Sequence, residues 1–153
     1  MNLNEIAISS GKQIFHSKSW NIGIQDEMIA CLLQEARINE NNKARLCLHP
    51  NAEETMQVTY LAFVAPYEDS IHCHPWRPEV LIPIRGEAVA RTFDSNGNML
   101  KSELMIGGTG HAFATESGQW HSLKVKTSDF VMIEIGIGPF RPDSTVFQNR
   151  RDR

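Results

Sequence analysis

The sequence predicts an all-β domain of the antiparallel sandwich or barrel class, and three observations carry that expectation. From Leu46 onward, about eight short runs of strand-forming residues recur at intervals of roughly 8–12 residues. Turn-forming groups divide them, and Asp94-Ser95-Asn96-Gly97-Asn98 is a strong hairpin signal. The chain has 153 residues, enough for one domain with a sizeable core and not comfortably enough for two.

Residues 1–25 are weakly patterned; Ile6 and Ile8 alternate, as do Ile22 and Ile24, which suggests a short strand or two. A helix follows over about 26–38. Asp26 is placed to cap it, and Met28, Ile29, Leu32, Leu33 and Ala36 recur at helical spacing as one apolar stripe. That stripe is a packing surface for a sheet or a partner subunit. The expected strands are 58–64, 70–74, 80–84, 88–93, 99–105, 112–115, 120–125 and 130–135. The run 80–84 is apolar on both faces, as a buried strand would be. The expected division is an N-terminal extension over 1–44, a barrel over 45–142 and a tail over 143–153.

Composition excludes several function classes. Net charge is −3, which gives no electrostatic case for binding nucleic acid or an anionic membrane surface. The basic cluster Arg150, Arg151 and Arg153 is most simply a solvated, frayed tail. No apolar run approaches the ~20 residues of a membrane span, and the N-terminus lacks a signal-peptide pattern. Three cysteines, 31, 47 and 73, form no CxxC pair, so reduced thiols in a cytoplasmic protein are the simplest expectation.

The most specific stretch is His72-Cys73-His74, four residues, Glu79, six residues, Gly86. Two histidines one residue apart point to the same side of an extended strand. A carboxylate opening the next apolar strand meets them if the chain folds back. The second informative stretch is Gly110, five residues, then Glu116-Ser117-Gly118-Gln119-Trp120-His121. Its turn leads into a strand whose first inward residue is His121, with Leu123 and Val125 on the same face. Singly, each histidine reads as a hydrogen-bonded core residue. Jointly with Glu79, His72, His74 and His121 read as metal ligands. Strand alternation turns Cys73 away from them, toward the core.

These stretches resemble the two cupin motifs, G-x5-HxH-x3,4-E-x6-G and G-x5-PxG-x2-H-x3-N. The first is met at His72, His74, Glu79 and Gly86, with Pro66 standing for its opening glycine; the second is met at Gly110, Gly118 and His121, with Glu116 and Val125 standing for proline and asparagine. A narrower likeness, to the WbuC-type cupin metalloproteins often associated with O-antigen gene clusters, covers about residues 26–142. It runs through Arg45-x3-His49, the HxHPxxxxE run, the FD-x-x-G turn at Phe93–Gly97, Gly118-x-Trp120-His121 and Glu134-x-Gly136-x-Gly138-Pro139-Phe140. The resemblance implies a double-stranded β-helix (jelly-roll) barrel binding one divalent transition metal, and a homodimer, as in many cupins. Donor type leaves Fe, Mn, Zn and Ni near-equal.

Around that quartet, Arg45 and His49 are either rim residues or an anion-binding pair. Arg77 and Trp76 can edge the pocket. Arg91 either reaches a substrate anion or makes an exterior salt bridge. Glu134 lies on a strand face with Phe130 and Met132, where it pairs with an arginine or serves as a general base. Tyr60 and Tyr67 are further candidates for proton transfer, and His16 and His111 read as incidental. Three functions remain open. The first is a metal-dependent enzyme, an isomerase or dioxygenase, acting on a small polar molecule, a sugar derivative among the candidates, chelated to the ion. It predicts a pocket of a few hundred Å³. The second is a non-catalytic ligand-binding or sensory module. The third is a structural metalloprotein, with metal-free sugar epimerisation as a further alternative.

Overall fold

A computed structural model describes residues 3–11 and 13–148. A short turn of helix, α1 (Leu3–Ile6), leads through strands β1 (Ala7–Ser9) and β2 (Ile14–Ser17) to helix α2 (Asp26–Ile38). Eight more strands follow: β3 (Lys43–Cys47), β4 (Met56–Val64), β5 (His72–Cys73), β6 (Glu79–Phe93), β7 (Met99–Ile106), β8 (Phe113–Thr115), β9 (Trp120–Ile137) and β10 (Val146–Phe147). One hydrogen-bonded path runs β1-β2-β3-β4-β9-β5-β10, and β6 pairs with β7, β8 and β9. All pairings are antiparallel except β2 with β3.

Two pairs of expected strands are continuous. The runs 80–84 and 88–93 are one strand, β6, and 120–125 and 130–135 are one strand, β9. They pair along their whole length, with register shifts between Pro83 and Arg85 and between Gly86 and Ala88. The polar group Thr127-Ser128-Asp129 looks like a turn in sequence. Here it sits at those irregularities, where a long ladder bends without breaking.

Strand alternation then builds two apolar clusters. Leu61 and Phe63 of β4 join Leu81, Ala90, Leu123, Phe130 and Met132 inside the barrel. Ala62 and Val64 face the other way, onto Met28, Leu32, Leu33 and Ala36 of α2. The helix stripe is therefore buried against the chain's own sheet. Gln25, not Asp26, holds the N-cap position, without a side-chain cap; Asp26 and Glu27 sit in the first turn, where carboxylates favour the helix dipole. The hairpin at Asp94–Asn98 forms as expected, with Asp94 Oδ1 accepting from the backbone N–H of Asn96 and Asn98. Arg150, Arg151 and Arg153 lie outside the described residues. No helix among the described residues is long and apolar enough to cross a membrane.

Candidate metal centre

The short strand β5 meets β9 at one register point, His72 opposite His121. His74 follows two residues on and shares the side of His72, while Cys73 is buried on the other side, paired in register with Val146. Gly118 explains how the second motif reaches the first. With φ +79° it makes the turn before β9, and its N–H donates to the carbonyl of His74 at 2.8 Å. The turn that launches His121 is thus tied to the backbone of another histidine of the same site. Glu79 opens β6 opposite Gly136 of β9 and is 3% exposed.

One ligand atom from each of His72, His74 and His121 lies within 4.8 Å of the others. Each ring has Nδ1 against a backbone carbonyl: Ser70 at 2.8 Å, Ser144 at 2.9 Å and Gln119 at 2.8 Å. A carbonyl only accepts, so Nδ1 carries the proton and Nε2 presents a lone pair. Nε2 of His74 lies 3.3 Å from Glu79 Oε1, and Nε2 of His121 lies 3.8 Å from Glu79 Oε2. Acceptors face acceptors, an arrangement that calls for a positive charge among them. Arg77 Nη2 is 3.1 Å from Glu79 Oε1 and supplies charge, but no donor hydrogen is aimed at that oxygen. Burial, then the neighbouring Glu134, raises the Glu79 pKa despite Arg77. A proton on Glu79 would satisfy one of these two imidazoles and leave the other facing oxygen. The three histidines form a cluster that could hold a metal ion, and Glu79 adjoins two of them.

Burial also favours the neutral form of two of these imidazoles. It lowers the pKa of His74, and it lowers that of His121 to about 4, with His72 adding to the effect. Neutral nitrogen is the ligand form.

The cluster opens into a cavity of about 460 Å³. Glu134 lines it, with Oε1 accepting from Arg77 Nη2 at 3.4 Å. Arg77, 4% exposed, bridges Glu79 and Glu134 and lies over the Phe140 ring at 5.7 Å. Arg45 and His49 also line the cavity. His49 is buried, not a rim residue, because β3 carries Lys43, Arg45 and Cys47 inward by alternation and the chain keeps that phase to His49. Lys43 Nζ donates to Tyr67 Oη at 3.2 Å, and Tyr67 in turn donates to Asp69. Burial lowers the Lys43 pKa, and Arg45 lowers it further.

Four of the expected residues stand outside the cavity lining, and Tyr67 is one of them. Tyr60 faces the α2 side, because alternation on β4 gives the cavity to Thr59 and Leu61. Arg91 is paired with Glu68 at 2.8 Å, outside the cavity lining. Trp76 is exposed. His111 is exposed as well, but His16 is not incidental: it lines the cavity with Cys47 and His49. The polar alternation Lys43, Arg45, Cys47, His49 was the available signal for that wall. The parallel pairing that brings His16 to it has none in sequence. The C-terminal segment was missed too: Ser144 and Thr145 reach His74, and β10 pairs with β5.

Solved structures of similar shape are cupin-fold proteins. The capsular polysaccharide assembling protein CapF from Staphylococcus aureus matches with a TM-score of 0.61 and 17% identity, over 71% of this chain and 30% of its own. KdgF from Halomonas sp. matches with a TM-score of 0.55 and 14% identity, over 68% of this chain and 86% of its own. Oxalate decarboxylase from Bacillus subtilis matches with a TM-score of 0.55 and 17% identity, over 69% and 27%. The chain spans about a third of the length of CapF. At these identities the likeness establishes the fold, an all-β cupin jelly roll. No curated protein matches the sequence. Residues 24–105, from just before α2 to the end of β7 and including His72, His74 and Glu79, match the model described as Domain of unknown function (DUF6016); the chain belongs to that family.

Proposed function

We propose that this cupin holds one divalent transition metal through His72, His74, Glu79 and His121 and uses it to bind and transform a small polar anion. The observation that carries the reading is the meeting of acceptors: two Nε2 lone pairs directed at a buried carboxylate, one oxygen of which receives no hydrogen bond. When bound, such an ion supplies Lewis acidity to a chelated carbonyl or carboxylate oxygen.

The chain's own residues do the remainder. Arg45 lines the cavity and makes no ion pair among the described residues, which leaves its guanidinium for a ligand carboxylate or phosphate. Arg77 is occupied by Glu79 and Glu134, so it is a positioning residue that holds both carboxylates in place. Glu134 keeps a partly exposed oxygen on the cavity side and is the group for proton transfer to or from the ligand. Leu61, Phe63, Leu81 and Met132 form the apolar wall that limits water. An anion with a short carbon skeleton, such as a sugar acid or keto acid, suits a cavity of about 460 Å³. The motif likeness to WbuC-type cupins supports a place in surface-polysaccharide metabolism.

The test combines metal content with ligand binding. Untagged protein should carry close to one equivalent of Fe, Mn, Ni or Zn at this site, lost in His72→Ala/His121→Ala. A panel of small sugar acids and keto acids should bind the metal-loaded protein and not the chelated one. Arg45→Gln should weaken binding tenfold or more with metal content unchanged. Equal binding by wild type, chelated protein and Arg45→Gln would sink the reading.

A further inference from the structure

We infer that His16, Cys47 and His49 form a second metal site, with a two-histidine, one-thiolate donor set suited to a borderline ion of the Zn²⁺ class. The site lies on another wall of the same cavity, three strands along the sheet from β5. It does not depend on the reading of the first centre.

The parallel ladder of β2 on β3 sets His16 beside Cys47 in register, and His49 follows Cys47 by two residues on the same side. One ligand atom of each lies within 4.8 Å of the others, and the two rings meet edge to face at 5.5 Å. In a tetrahedral zinc site, N and S donors stand about 3.3–3.6 Å apart, so the three need close by little more than ~1 Å.

Two further observations separate this cluster from ordinary core packing. Cys47 is buried but belongs to neither apolar cluster; its sulfur faces the cavity, with Thr59 Oγ1 at 3.8 Å. Both imidazoles have Nδ1 engaged with backbone oxygen, His16 with the carbonyl of His49 at 3.3 Å and His49 with that of Val58 at 3.1 Å. That is the pattern seen at His72, His74 and His121, and it leaves Nε2 as the donor. The N–H of Val58 also lies 3.2 Å from His49 Nδ1, so the neutral ring has a second tautomer open to it. Metal binding selects the first. Burial lowers the His49 pKa, which keeps the ring in its ligand form. The Cys47 thiol is pushed up to about 11, so uptake must release its proton to solvent, one H⁺ per ion bound. The ion would cross-link the N-terminal arm to the barrel, where only a three-residue ladder now joins β2 to β3.

Cobalt(II) titration of the metal-free, full-length chain tests this, because a thiolate ligand adds a near-ultraviolet charge-transfer band that an all-imidazole and carboxylate site lacks. Wild type should bind two equivalents, with the band growing over one of them. Cys47→Ser should lose the band and one equivalent. His72→Ala/His121→Ala should keep the band and bind one equivalent, and His16→Ala should weaken the band-forming event tenfold or more. Circular dichroism would confirm that each variant is folded; if Cys47→Ser is not, His16→Ala decides. The absence of a band in wild type at saturating cobalt, its persistence in Cys47→Ser, or unchanged affinity in folded His16→Ala would each overturn the proposal.

Discussion

His72 and His121 face each other in register across the β5–β9 pair, with ring centroids 4.4 Å apart, and each hydrogen-bonds through Nδ1 to the carbonyl two residues before it. The rings are oriented by their own strands and need no distant partner. His74 differs. Its Nδ1 reaches Ser144, seventy residues away, so the C-terminal segment orients the third imidazole.

That dependence makes the tail a metal-affinity determinant. Removing residues 142–153 deletes the Ser144 carbonyl and β10 while leaving the β4–β9–β6 framework intact. Metal affinity should fall by about 10–100-fold, the usual cost of losing a partner behind a ligating histidine. Competition with a chromogenic chelator would measure it, beside a melting curve to confirm folding. Undiminished affinity would show that His74 needs no tail.

In the metal-free protein His121 works against stability in acid, while Glu79, whose pKa burial raises, works the other way. The His121 pKa is lowered to about 4 by burial and by His72, against 6.5 in the unfolded chain. The unfolded state therefore takes up a proton that the folded state refuses. The stability this group contributes is complete above pH 6.5 and is lost as pH falls toward 4. The loss between pH 7 and 5 is about 2 kcal/mol. Glu79 contributes the opposite slope to both proteins, so urea unfolding in chelator should show wild type losing about that much more stability than His121→Asn between pH 7 and 5; equal slopes would refute the assignment.

Three of the four candidate ligands were legible because their spacing is local: one residue separates His72 from His74, and four separate His74 from Glu79, while His121 was found through the separate Gly118-x-Trp120-His121 stretch. Strand alternation then fixed the sides, correctly for Cys73 and for Phe130, Met132 and Glu134. Tyr60 misled because its neighbours Thr59 and Leu61 hold the inward positions, and an aromatic hydroxyl in a strand carries no label of its face. Arg77 does edge the pocket, but its partners are carboxylates at positions 79 and 134 that only the β6–β9 ladder brings together. His16 needed a parallel pairing at a sequence separation of thirty-one, and Ser144 a return at a separation of seventy. Long-range pairing leaves little trace in periodicity.

Arg77 should matter more to the chelated protein than to the metal-loaded one. It is almost fully buried between Glu79 and Glu134, so Arg77→Met leaves two carboxylates without their cation. Breaking such a buried arrangement costs about 3–5 kcal/mol. A bound divalent ion compensates Glu79 and should recover part of that loss. Chemical unfolding of wild type and Arg77→Met, each with metal and with chelator, would show a larger penalty in chelator. An equal penalty in both would mean that the ion does not share the Glu79 charge.

Gly86 closes the first metal motif, yet its role is in the fold. Its φ is +75°, and a Cβ there would stand 2.2 Å from the Asp129 carbonyl oxygen and 2.7 Å from Thr127 Oγ1. Those atoms belong to the bend of β9, where Thr127 Oγ1 accepts the Glu87 N–H at 2.9 Å and donates to the Asp129 carbonyl at 2.6 Å. The register of the β6–β9 ladder shifts at this point, so the two long strands approach closely just where they bend together. Gly86→Ala must either part them or strain the backbone, at a cost of about 2–5 kcal/mol. The ligands lie elsewhere on the ladder, so folded Gly86→Ala should still bind metal with wild-type stoichiometry while its melting temperature drops. A variant as stable as wild type would contradict the packing argument. A folded variant unable to hold metal would move this glycine from the scaffold into the site.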